Sequence, residues 1–169
     1  TKVDLAESEP EAAFEANVEI PRRIVEALGS NGARLIHIST DYVFSGDASD
    51  PYEVDSPKAH LGVYAKTKSL GEEVWLSGSS NSQVIRTAWL YGANGNCFPK
   101  TIARKLLAGE ELRVVDDQIG TPTWTWDLSV FIFDTVMAPI DSRILHGVAG
   151  EATTWFGFAE AIAEELDDL

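Results

Sequence analysis

The sequence predicts an α/β fold built around a mainly parallel sheet, and three observations carry that expectation. Short apolar, β-branched runs alternate with stretches of helical period along almost the whole chain. The clearest run, Arg34 to Thr40, lacks the strict polar alternation of a half-solvated strand, as expected of a parallel strand covered on both faces. Two runs end at Thr40 and at Thr87 to Trp89, and the carboxyl ends of such strands are where an α/β sheet meets its ligand.

The elements follow in order. Ser8 to Leu28 has a helical pattern: Ser8 can cap, Pro10 falls in the first turn, Phe14, Val18, Ile24, Val25 and Leu28 recur at helical spacing, and Gly29 follows. Pro21 lies inside that stretch and predicts a kink. Arg34 to Thr40 is the first strand, and a long polar loop through Gly46, Asp47, Asp50, Pro51 and Pro57 follows it. A helix from about Val63 to Leu76 and a strand from Gln83 to Thr87 complete one strand, helix, strand unit. Beyond it the pattern predicts a helix over Pro99 to Leu107, a strand over Leu112 to Val115, a helix over Asp127 to Val136, a strand over Ile144 to His146 and an amphipathic helix over Thr154 to Leu166.

Composition narrows the functions available. The 169 residues are 44% hydrophobic, 24% charged and 9% aromatic, which excludes a disordered, collagen-like or disulfide-framed chain. Acids outnumber bases 27 to 13, a net charge of −14 spread over the sequence, so neither a nucleic-acid backbone nor an anionic membrane surface is an expected partner. One cysteine, Cys97, allows no internal disulfide, and neither a secretory leader nor an apolar run of spanning length occurs, so a cytoplasmic location is expected. The glycine-rich dinucleotide turn, the P-loop, the nucleophile elbow and paired cysteines are missing. His37, His60 and His146 have no metal-ligand spacing, so no metal is expected, and His37 reads as a hydrogen-bonded core residue inside a strand.

One constellation carries chemistry. Tyr64 and Lys68 are four residues apart, so on a helix they project from one face, where an ammonium can lower a phenol's pKa. Thr40, at the end of a strand, adds a second hydrogen-bond partner for one carbonyl oxygen. The trio suits hydride reduction of a ketone, in which the forming alkoxide must be protonated. An ordinary exposed Tyr/Lys helix pair has the same spacing.

The residues around this trio resemble the extended short-chain dehydrogenase/reductase superfamily, and within it the dTDP-4-dehydrorhamnose reductases. The matching segments are Val3-Asp4 with Ala6-Glu7, Asn17 to Pro21, His37 to Gly46 (H-I-S-T-D-Y-V-F-S-G), Tyr64 to Glu72, Arg86 to Gly92, Val114 to Thr123, and Trp124 to Leu128, in family order across nearly the whole chain. The resemblance implies an incomplete NAD(P)-binding Rossmann-like sheet over residues 1–92, and a substrate-binding region with the remaining elements over 93–169. It implies reduction of the 4-keto group of dTDP-4-dehydro-L-rhamnose by NADPH or NADH. Tyr64 would be the general acid, Lys68 would hold the nicotinamide ribose and lower the tyrosine pKa, and Thr40 would hydrogen-bond the reacting oxygen. Thr40, Asp41 and Trp89 would contact the sugar nucleotide, although Trp89 also fits a packed strand-end aromatic. Asp116 to Thr123 either shapes the substrate pocket or is turn chemistry, and Asn17 matches the family's helix asparagine.

The departures from the pattern have consequences. The chain lacks the first βαβ unit and the usual C-terminal tail, so the pyrophosphate cradle is absent and the residue that distinguishes NADH from NADPH is not in this sequence. The fragment alone is expected to bind the dinucleotide feebly. Cys97 stands before Phe98 where the family commonly has asparagine, and Trp126 replaces a smaller or polar residue. The flank of the Leu35 to Thr40 strand is left open, which predicts pairing with another copy and a homo-oligomer. Two other functions stay open: reduction or epimerisation of a different nucleotide sugar, and a non-catalytic regulatory subunit of the same fold such as that of methionine adenosyltransferase.

Overall fold

A computed structural model describes residues 2–28, 31–78, 80–138 and 141–167; the helix stop expected at Gly29 lies outside them. The chain forms two compact units, Thr1–Thr87 with Ala138–His146, and Ala88–Met137 with Gly147–Leu169.

The first unit holds helices α1 (Val3–Ser8), α2 (Pro10–Phe14) and α3 (Ile20–Leu28), strand β1 (Leu35–Thr40), helix α4 (Val63–Gly78), strand β2 (Ser82–Thr87) and strand β6 (Ile144–His146). The three strands form one parallel sheet in the order β1-β2-β6, with Leu35 opposite Ser82, Thr40 opposite Thr87, and Arg86 opposite His146. The α/β fold and the unit formed by β1, α4 and β2 are as the sequence predicts. Strand β2 is the centre of the sheet and every residue in it is buried, the polar ones included. Two of those polar side chains reach carbonyls nearby: Ser82 Oγ donates to the Trp75 carbonyl at 2.7 Å and Gln83 Nε2 to the Ser142 carbonyl at 2.8 Å, whereas the buried Thr87 Oγ1 has no hydrogen-bond partner among the described residues. Val25, Leu35, Trp75 and Val84 form the apolar core between α3, α4 and the sheet.

The first helical stretch differs from its sequence reading. Ser8 ends α1 and its hydroxyl donates to the Leu5 carbonyl at 3.0 Å, so it caps nothing downstream. The break comes before Pro21, in a single π turn over Glu15–Glu19. Proline lacks an N–H and its ring would collide with the carbonyl four residues back, that of Asn17; widening the turn by one residue moves that carbonyl aside. The displaced carbonyl then lies against α4 at Gly71, where a Cβ would fall inside the oxygen's van der Waals surface. Asn17 Nδ2 donates to Thr67 Oγ1 at 2.9 Å, a second tie between the π turn and α4.

On the face of α4 toward the sheet, Glu72 and Arg86 are both fully buried. The guanidinium grips the carboxylate through two hydrogen bonds of 2.9 Å, donates a third to the Val54 carbonyl at 2.9 Å, and lies 5.0 Å above the Phe44 ring. Lys58 Nζ adds a 2.9 Å ion pair to the same carboxylate. Burial alone would raise the Glu72 pKa, but the hydrogen bonds and charge of Arg86, with Lys58, bring it down to about 2.

The second unit contains β3 (Leu90–Tyr91), α5 (Phe98–Leu107), β4 (Ile119–Gly120), β5 (Thr123–Trp124), α6 (Thr125–Met137), β7 (Thr153–Thr154) and α7 (Trp155–Asp167). Strand β3 pairs with β5 in parallel and β4 with β7 antiparallel. The strand expected over Leu112 to Val115 does not form. That segment reaches the α7 start through a Phe156 N–H to Val115 carbonyl bond of 3.0 Å, and no ladder accompanies it among the described residues.

Two outcomes follow from the packing of α4. Gly71→Ala overpacks the Asn17 contact and lowers stability by about 1–3 kcal/mol, read as a lower urea midpoint with an unchanged m-value. Glu72→Gln leaves Arg86 buried without its counter-charge and costs about 3–5 kcal/mol in the same assay. The native Glu72 pKa lies below its ordinary value of 4.5, so its contribution is complete above that pH and is lost as the pH falls toward about 2. A urea-midpoint series from pH 5 to pH 2 shows a steep acid limb for the native chain and a flatter one for Glu72→Gln.

Candidate active site

Thr40 is the last residue of β1 and caps the short 3-10 turn Asp41–Val43. Its Oγ1 accepts from the Tyr42 N–H at 3.2 Å and donates to Asp41 Oδ1 at 3.1 Å. This is local sequence chemistry, a threonine at the N-cap followed by an aspartate in the first turn. Burial raises the Asp41 carboxyl above the usual range, against the opposing effects of that hydrogen bond, the local backbone N–H groups and the nearby His146.

Tyr64 is the second residue of α4, and its ring meets Tyr42 edge-on with centroids 5.8 Å apart. The structure therefore brings Thr40, Asp41, Tyr64 and Lys68 together at the carboxyl end of β1 in the first unit. Burial pushes the phenol's pKa up, Asp41 and Tyr42 add to that rise, and a hydrogen bond with the Thr40 side chain acts the other way. Lys68 has its own partners on β1. Its Nζ donates to the Ile38 carbonyl at 2.7 Å and lies 3.5 Å from His37 Nε2, so the ammonium rests against β1. Burial lowers the Lys68 pKa and the Glu72 charge opposes that shift.

Trp89 belongs to the second unit. It has φ 44°, a left-handed conformation that a bulky residue adopts only when its surroundings enforce it. Its ring stacks on Trp155 with centroids 3.5 Å apart and planes within 9°, and it occupies the space that a Cβ at Gly120 would need. Its carbonyl accepts from the Thr123 N–H at 3.2 Å. Gly120 is thus glycine for a packing reason, inside the Asp116 to Thr123 segment whose Asp116 Oδ1 accepts from Thr154 Oγ1 at 2.6 Å. Cys97 takes the N-cap position of α5 and makes no side-chain cap bond to it; its thiol reaches the Gly92 carbonyl at 3.7 Å.

Sequence reading left two groups at this site unassigned. His37, read as a hydrogen-bonded residue inside a strand, has Lys68 as its neighbour; burial, with the Lys68 charge, lowers its pKa to about 4. Glu72 belongs to the series Tyr64, Lys68, Glu72 at four-residue spacing, a signal visible in the sequence once the first two are placed on one helix face. Among the described residues, no three His, Cys, Asp or Glu side chains gather as a metal site would require, and no helix is long and apolar enough to cross a membrane.

Comparison with known proteins bears on the same residues. A Streptomyces antibioticus protein named "Probable dTDP-4,6-dihydroxy-2-methyloxan-3-one 4-ketoreductase" is 40% identical over 168 residues, 99% of this chain and 57% of its own length. The dTDP-4-dehydrorhamnose reductase of Mycobacterium tuberculosis is 40% identical over 171 residues, 98% of this chain and 56% of its own length. The crystal structure of the Bacillus anthracis dTDP-4-dehydrorhamnose reductase in complex with NADP superposes with a TM-score of 0.94 at 36% identity, covering 99% of this chain and 59% of that one. The chain thus spans a little over half the length of the curated relatives it matches. The RmlD substrate binding domain matches residues 1–168, and together with the parallel sheet and the Thr40, Tyr64 and Lys68 cluster this shows that the chain belongs to that family.

Proposed function

We propose that the protein containing this chain reduces the C4 carbonyl of a dTDP-linked 4-keto sugar, dTDP-4-dehydro-L-rhamnose, using NADPH or NADH. The observation that carries this reading is the convergence of Thr40, Tyr64 and Lys68 at the carboxyl end of β1, in a chain whose relatives are named for 4-keto reduction. The relatives' names differ in the sugar and agree in the position of the ketone, so the C4 carbonyl is the firmer part of the reading.

The residues present fit one end of a nicotinamide dinucleotide. An ammonium has three protons, and the Ile38 carbonyl takes one from Lys68, so donors remain for ribose hydroxyls. These 169 residues supply no glycine-rich turn for the pyrophosphate. The nicotinamide, when bound, supplies hydride. Tyr64 supplies the proton that the carbonyl oxygen needs as it becomes an alkoxide. A phenol pushed up by burial stays protonated at neutral pH, which suits a donor and would disable a base. Thr40 orients the same oxygen, while Asp41 beside it contacts the sugar nucleotide. A reaction that draws on a nicotinamide dinucleotide and a nucleotide sugar belongs to the cytoplasm.

In the protein containing this chain, Tyr64→Phe lowers kcat for the 4-keto sugar by roughly 100-fold or more, the scale of losing a general acid. Calorimetric affinity for dTDP-L-rhamnose stays unchanged. Retained kcat in Tyr64→Phe overturns the assignment of the acid; absent turnover in the native protein overturns the reduction itself.

A further inference from the structure

Lys68 is held from below by a residue that the proposed reaction does not use. From β1, His37 and the Ile38 carbonyl face its ammonium; from its own helix, Tyr64 and Glu72 flank it, with Lys58 and Arg86 beyond Glu72. The His37 ring is fixed in place, its centroid 5.1 Å from that of Trp75 at 34°. Its Nε2 lies 3.6 Å from where a Gly71 Cβ would stand, so the missing side chain at Gly71 leaves room for the imidazole as well as for the Asn17 carbonyl. An ammonium has donors only, so a ring nitrogen beside it must turn a lone pair toward it. At neutral pH the His37 imidazole is neutral, held so by burial and by the Lys68 charge, and a neutral imidazole carries its single proton on one nitrogen.

We infer that His37 is a positioning residue for Lys68: its proton sits on Nδ1, its bare Nε2 accepts from the ammonium, and with the Ile38 carbonyl it fixes where along β1 that ammonium rests. The inference rests on the reading that Lys68 holds the nicotinamide ribose, because it assigns His37 the task of presenting the one remaining N–H at a constant place. It also explains why a histidine stands between Ile36 and Ile38 in β1.

The test uses the 169-residue chain itself and needs no turnover. Long-range proton–nitrogen NMR at pH 7 gives His37 a proton-bearing Nδ1 and a bare Nε2. Titration of the Lys68 Cε signal then compares His37→Leu, which removes the acceptor, with His37→Gln, whose side-chain oxygen can replace it. The Lys68 midpoint falls by roughly half a unit to one unit in His37→Leu, the scale of one lost acceptor at a charged group, and returns in His37→Gln. A purely structural histidine would not show rescue by glutamine. A proton on Nε2, or a Lys68 midpoint equal in all three chains, overturns the inference. Should His37→Leu fail to fold, the native tautomer still decides it, a proton on Nε2 overturning the inference. Failure of the reductase reading looks different: no nicotinamide-dependent reduction in the protein containing this chain, with the His37 tautomer and Lys68 titration as stated.

Discussion

Everything near the reactive end of the first unit depends on one buried ion pair. Glu72 and Arg86 are both fully buried, and leaving either charge alone costs about 3–5 kcal/mol, a large share of a domain's stability, so each side chain holds the other in place. The pair ties the middle of α4 to the central strand, and through the Val54 carbonyl, Lys58 and the Phe44 ring it gathers in the polar loop between β1 and α4. Its value is geometric more than energetic, since well-packed apolar residues often match such pairs in stability. Tyr64, Lys68 and Glu72 follow one another at intervals of a little more than one helical turn. Pinning Glu72 against β2 therefore fixes the rotation of α4 about its axis, and with it the directions in which the phenol and the ammonium project.

The electrostatics of the site follow from that rotation. Lys68 points at the edge of β1 and leaves Tyr64 among a carboxylate, another phenol and protein interior, all of which keep its proton on. The ammonium on α4 rests against β1, while the phenol holds its proton at that strand's end. Spacing on a helix face puts two side chains near each other, and what else each one meets sets its environment; here the Ile38 carbonyl accepts a hydrogen bond from the ammonium.

Much of this was legible in the sequence, for reasons that differ from element to element. Strand β1, helix α4 and strand β2 announced themselves because apolar runs and helical spacing report burial directly. Thr40, Asp41, Tyr64 and Lys68 were legible because strand ends and four-residue spacings locate side chains without any knowledge of the rest. The two-residue strands of the second unit were not, since two residues carry no period, and Leu112 to Val115 looks like a strand until its neighbours fail to offer a ladder. The Glu72 and Arg86 pair was hidden for a different reason: nothing local marks a glutamate as buried, and its partner lies 14 residues away on another element. For His37 the strand pattern marks a hydrogen-bonded residue but not its partner, because Lys68 lies 31 residues away on α4.

The π turn ahead of Pro21 has a further consequence for the first helical stretch. A π turn is a one-residue dislocation in an α-helix. Pro21 offers no N–H for a regular turn at its position, and Asn17, bonded to Thr67, ties the π turn to α4. The dislocation is held at that place. The phase of every side chain in α3 is set by this locked defect, so adding or removing a single residue upstream of Glu15 leaves the packing of Val25 on the core untouched, whereas the same edit between Asn17 and Pro21 turns that whole helix by roughly 100°.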